Sequence, residues 1–119
     1  MSDTTKIVDA YIAMWNETDA QQRREIVAQT VTEDASYLDP VMAGAGIDGI
    51  TEMIGGAQQQ FPGHSFALVE GPDAHHDRVR FSWSLAADGG APVAIGTDFV
   101  TLADDGRMQA ITGFLTPAA

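Results

Sequence analysis

The sequence predicts an α+β domain in which three helices pack on one face of a curved, mainly antiparallel sheet. Three observations carry this. Apolar residues recur at three- and four-residue intervals through the first half, the period changes to two from Ser65 onward, and turns rich in glycine and aspartate divide the second half. Helices gathered ahead of strands give an α+β layering rather than an alternating one. The 119 residues suffice for one core and leave no room for a second, so a single domain over 1–119 is expected.

The first helix is written by Ile7, Val8, Tyr11, Ile12 and Trp15, with Ser2, Asp3 or Thr4 able to cap it. After the turn at Asn16–Asp19, Ile26, Val27 and Val31 mark a second helix, whose N-cap is Asp19. A short strand, Ala35–Leu38, ends at Asp39-Pro40, because proline lacks a ladder donor and biases the residue before it toward an extended conformation. Val41–Gly46 reads as a loop. Ile50, Met53, Ile54, Ala57 and Phe61 describe a third helix, capped by Asp48 and stopped by Pro62-Gly63. Its Gly55-Gly56 pair costs about 1 kcal/mol per glycine relative to alanine, which a kink or close packing against the sheet would explain.

Turn signals at Gly71-Pro72-Asp73, Asp88-Gly89-Gly90 and Asp104-Asp105-Gly106 split the remainder into four strands. In the second of these, Val79, Phe81, Trp83 and Leu85 share one face while Arg80, Ser82 and Ser84 share the other. One face is thus apolar and the other wet or paired.

Composition narrows the functional classes. Seventeen acidic against six basic residues give a net charge of −11, which repels nucleic-acid phosphates and anionic lipid head groups. Neither nucleic acid nor membrane is an expected partner. The absence of cysteine removes disulfides and thiolate chemistry. MSDTTKIVDAY has an acidic residue where a signal peptide is basic, so a cytoplasmic location is expected.

Asp98 is an acid in an otherwise uncharged segment, Ile95 to Thr101. Burying a lone carboxylate is costly, so such a group stays neutral or finds a partner. A neutral carboxyl group donates a hydrogen bond. Beside a phenol such as Tyr11 it can hold charge developing on a substrate oxygen while a second carboxylate, Asp39, moves a proton at carbon. Each residue also has a structural reading: Asp98 bonded to backbone or to Arg80 or Arg107, Asp39 capping an Asp-Pro turn, and Tyr11 packed in the core.

The element order resembles the cone-shaped fold of the nuclear transport factor 2-like superfamily, and three stretches sharpen the likeness. YIAMWNETD resembles the end of the first helix of ketosteroid isomerases, TEDASYLDPV the strand that ends in an acid and proline, and IGTDFVTLADDGRMQAITGF the last hairpin. The resemblance implies Tyr11 and Asp98 as oxyanion donors and Asp39 as general base. In SnoaL-like polyketide cyclases, which the chain resembles around that hairpin, Asp98 would itself be the acid/base. The interval from Tyr11 to Asp39 is longer than in the isomerases, with the insertion around Gln21–Arg24.

The expectation is therefore isomerase or cyclase chemistry on a small apolar carbonyl compound, without cofactor or metal. Two readings compete with it: a non-catalytic ligand-binding or dimerisation domain, and a hydrolase or dehydratase. Trp15, Phe61, Phe81, Trp83, Met108 and Phe114 are the candidate substrate-binding walls. His75 and His76, before Asp77, are possible acid/base groups, with His64 a weaker one. Neighbouring strand residues point to opposite faces, so His75 and His76 do not readily share one metal ion, and a solvated turn explains them as well. A homodimer across the outer face of the sheet is what the resemblance implies.

Overall fold

The computed structural model describes residues 3–116. The elements run α1 (Asp3–Asn16), α2 (Ala20–Thr30), β1 (Val31–Leu38), β2 (Ala43–Ala45), α3 (Gly46–Gln60), β3 (His64–His75), β4 (Arg78–Ala87), β5 (Pro92–Leu102) and β6 (Met108–Thr116). One six-stranded sheet has the order β2-β1-β6-β5-β4-β3, parallel only between β1 and β6. The three helices and the sheet form the predicted α+β architecture.

On α1, Val8, Tyr11, Met14 and Trp15 face inward and share one core cluster with Val79, Phe81, Trp83 and Leu85 of β4. Ser2 lies outside the described residues, and Asp3 stands in the first turn. The Asp19 side chain caps α2 by accepting from the Gln22 N–H at 2.9 Å, as expected.

Several boundaries differ from the sequence reading. Val31 is the first residue of β1 rather than part of α2, because the branched run Thr30-Val31-Thr32 favours extended backbone and Val31 pairs with Met108 of β6. That pairing lengthens the strand expected at Ala35–Leu38. The expected loop after Pro40 contains β2, whose Ala43–Ala45 pair back on β1. Asp48 does not cap α3: Ala45 holds that position without a side-chain bond, and Asp48 pairs with Arg24 at 2.6 Å. Phe61 lies just past the helix end.

Gly55 is explained by close packing, but against α2 rather than the sheet. A Cβ there would stand 3.5 Å from the Arg23 guanidinium.

Gly71-Pro72-Asp73 is not the hairpin turn. It is an irregularity inside β3, where the register with β4 shifts between Glu70 and Asp73, and the chain reverses at His76-Asp77 instead. Proline is tolerated because β3 is an edge strand. Gly71 is required there, since it has φ +94° and a Cβ would come within 3.0 Å of the Arg80 carbonyl. The turns at Gly89 and Gly106 lie where the sequence places them. No helix among the described residues is long and apolar enough to cross a membrane.

Candidate active site

Between α1, α3 and the inner face of the sheet lies a cavity of about 980 Å³. Tyr11 and Trp15 reach it from α1, Tyr37 and Asp39 from the end of β1, Trp83 from β4 and Asp98 from β5. Met42, Met53, Phe66, Leu85 and Leu115 supply apolar wall. Alternation explains the convergence: Ala35 and Tyr37 are inward on β1, as are Gly96, Asp98 and Val100 on β5.

Two acid–phenol pairs form the polar end. The Tyr11 hydroxyl donates to Oδ2 of Asp98 at 2.8 Å, and the Tyr37 hydroxyl donates to Oδ2 of Asp39 at 2.6 Å. The second pair was not anticipated, although Tyr37 stands two residues before Asp39 in a strand, which is the same-face spacing. Oδ1 of Asp39 accepts from the backbone N–H of Val41 and of Met42, at 2.8 and 2.9 Å, so both its oxygens are engaged. Asp39 thus does what an Asp-Pro turn requires and also faces the cavity.

Asp98 differs in having one oxygen without a partner. It is 1% exposed, and its Oδ1 is buried with no hydrogen bond. Arg80 and Arg107 do not reach it; they pair with Asp73 and Asp105. Burial pushes the Asp98 carboxyl up to about 6, opposed by the Tyr11 hydrogen bond and then by the nearby Trp83 side chain, and assisted by the charge of Asp39. The Tyr11 phenol is driven well above its ordinary value by burial and then by the Asp98 charge. Tyr37 is raised for the same leading reason, burial.

Two glycines make room for this arrangement. A Cβ on Gly96 would fall 2.2 Å from the Trp83 ring, which lies across it, and one on Gly113 would fall 2.8 Å from Oδ1 of Asp98. An isolated glycine within a strand signals such close approach, and Gly96 and Gly113 both carry that cue in the sequence.

Of the expected wall residues, Trp15, Phe61 and Trp83 border the cavity. Phe81 and Met108 do not; both are buried in the core, Phe81 edge-on to the Tyr11 ring at 5.3 Å. Phe114 is also misplaced by that expectation, because it follows inward-facing Gly113 and so projects from the outer face, 56% exposed. His75 and His76 lie at the exposed β3–β4 turn, and neither they nor His64 border this cavity. Among the described residues no group of three His, Asp or Glu side chains gathers as a metal site would.

The layered cone with its cavity between helices and sheet defines the nuclear transport factor 2-like class. Within that class the SnoaL-like domain profile matches residues 8–111, and the chain belongs to this family. A candidate isomerase of the SnoaL-like family from Agrobacterium tumefaciens str. C58 is similar at 44% identity, over 98% of this chain and 99% of that one, with a TM-score of 0.92. A candidate polyketide cyclase from Sinorhizobium meliloti shares the fold at 19% identity and TM-score 0.71, over 95% and 99% of the two chains. An NTF2-like protein of unknown function from Exiguobacterium sp. 255-15 does so at 15% and 0.72, over 92% and 98%. No curated protein matches the chain.

Proposed function

We propose that the protein is an enzyme that moves a proton next to the carbonyl of a small, largely apolar compound, as an isomerase or a cyclase does, with Asp98 as its acid/base group. One observation carries the reading: Asp98 offers an unpartnered, buried oxygen at a cavity, while its other oxygen is held by Tyr11. A carboxyl group raised to about 6 is suited to both taking and returning a proton near neutrality. The similar Agrobacterium protein, a candidate isomerase, agrees with this class of chemistry.

Asp39 serves in this reading as the second acid, its oxygens fixed by the turn and by Tyr37 and its charge raising Asp98. An isomerase in which Asp39 is the base and Asp98 the oxyanion donor is the second reading, favoured by the presence of both acids on one cavity. A purely structural role for Asp98 leaves its free oxygen unexplained.

Exchange of α-protons for deuterium, followed by NMR in D2O over a panel of cyclic ketones and β-keto esters, tests the proposal without a known substrate. Asp98→Asn is expected to slow exchange by about 10²- to 10⁴-fold and Asp39→Asn by far less. The converse pattern selects the second reading, and no exchange by the wild type removes both.

The proposal includes a homodimer across the outer face of the sheet. Cross-strand rows there run Asp73, Arg80, Phe99, Thr112 and Glu70, Ser82, Thr97, Phe114, so the β5 and β6 positions are uncharged and the acids stand on the β3 edge, Asp73 paired with Arg80. Phe99 and Phe114 are exposed with ring centroids 5.7 Å apart.

A further inference from the structure

The Tyr11 hydroxyl has a single proton, and in this structure it is given to Asp98. If Asp98 works at carbon, the oxygen on which charge develops needs a different donor. Among the described residues, three buried side-chain polar atoms lack a partner: Oδ1 of Asp98, Nε1 of Trp15 and Nε of Arg23. The first two belong to residues that line the cavity, and Nε1 of Trp15 is a donor and nothing else.

Trp15 is also fixed in place. Its ring lies 5.1 Å from Phe66, 5.6 Å from Tyr37 and 6.3 Å from Tyr11, centroid to centroid, in tilted and edge-on contacts. Its carbonyl accepts from Nε2 of Gln58 at 2.9 Å. The next residue, Asn16, exchanges two hydrogen bonds with the backbone of Phe66, at 2.8 and 2.7 Å. The indole N–H is near enough to the Tyr11 hydroxyl to ease its ionisation, yet satisfies no acceptor. A buried orphan donor costs about 1–3 kcal/mol, so a site that retains one is organised for an acceptor that arrives from outside the protein.

We infer that the Trp15 indole N–H is the oxyanion donor of this site, and that the ligand is a planar apolar compound with a carbonyl or enol oxygen placed beside Tyr11 and Asp98. The inference rests on the Asp98 reading above. In the step it serves, the Asp98 carboxylate takes the α-proton, the C–H electron pair becomes the C=C bond, and the carbonyl π pair moves to oxygen. Trp15 donates to that oxygen. Asp98 then returns the proton to carbon.

The test uses the full chain, Trp15→Phe, and two probes of one shape: 2-naphthol, an enol mimic, and naphthalene, which lacks the oxygen. Trp15 and Trp83 are the chain's two tryptophans, so its ¹H–¹⁵N spectrum holds two indole signals, and the one lost in Trp15→Phe is Trp15. Naphthol is expected to move that signal downfield, and naphthalene to leave it in place. Trp15→Phe should weaken naphthol about tenfold, the effect of one hydrogen bond, and naphthalene less than twofold. It should also slow α-proton exchange by about 10²-fold, as removal of an oxyanion donor does.

Equal weakening of both probes, or unchanged naphthol affinity, overturns the inference. So does a failure of naphthol to bind the wild type. If Asp98→Asn abolishes exchange while Trp15→Phe leaves it intact, Trp15 is excluded and the Asp98 reading stands. If the wild type exchanges nothing but the indole signal moves only with naphthol, the proton-transfer reading falls and Trp15 remains the ligand's donor.

Discussion

Gly113 faces Asp98 directly across the β5–β6 ladder, and the space where its side chain would stand is bounded by Oδ1 of Asp98 at 2.8 Å, Cβ of Asp39 at 3.2 Å and the Tyr37 hydroxyl at 3.4 Å. One missing methyl group therefore keeps both acids and the second phenol within reach of the same point. Gly113→Ala has to push at least one of them away. Overpacking of this kind costs about 1–3 kcal/mol, and the displaced Asp98 should lose at least tenfold in catalysed exchange. Thermal denaturation and the exchange assay together check it; a variant with wild-type activity and melting temperature would show that the cluster yields freely.

The raised Asp98 carboxyl makes a pH prediction whose sign is fixed. Its ordinary value is 3.8 and its value in the fold about 6, so from roughly pH 4 to 6 the unfolded chain releases this proton while the folded one retains it. Stability contributed by the group falls over that window as pH rises and is level above it. At 1.36 kcal/mol per pH unit the loss amounts to about 3 kcal/mol. Asp98→Asn mimics the protonated form, so urea unfolding should find the variant near wild type at pH 4 and more stable at pH 7. A difference that is constant with pH would mean that the carboxyl titrates as an exposed one.

The fold was legible because local signals agreed with the tertiary outcome. The α1 stripe, the Asp19 cap, the alternation of β4 and the Gly89 and Gly106 turns each specify one conformation. Gly71-Pro72-Asp73 misled because the same residues suit a turn and an edge-strand irregularity, and only pairing with β4 decides between them. The site was partly legible: Asp98 stood out as an acid among apolar neighbours. Tyr37 did not, since a tyrosine in a strand is ordinary until Asp39 is found beside it. Phe81, Met108 and Phe114 show why periodicity cannot separate cavity wall, core and outer face: all three obey the alternation, and depth in the cone makes the difference.

Asp39 yields a prediction that separates its structural and chemical parts. Oδ1 accepts two backbone N–H groups that would otherwise lack partners in the protein, so Asp39→Ala should destabilise by about 2 kcal/mol. Asp39→Asn preserves that acceptor, and Tyr37 can turn to accept from the new amide, so its cost should be less than about 1 kcal/mol. Chemical denaturation of the two variants decides the matter. Equal losses would mean that the turn depends on the charge and not on the acceptor.

The exposed aromatic pair on the outer face of β5 and β6 predicts the assembly state. Phe99 and Phe114 meet edge to face on adjacent strands, each about half exposed, in rows whose acids, Asp73 and Glu70, lie away on the β3 edge. Apolar area of this kind favours a covering partner. Sedimentation velocity of the wild type should give a dimer at micromolar concentration, and Phe99→Asp with Phe114→Asp a folded monomer. The cavity opens on the opposite face of the sheet, so the monomer should retain most of its α-proton exchange. A wild-type monomer would leave these rings as ordinary exposed residues, and a dimer indifferent to both aspartates would place its interface elsewhere.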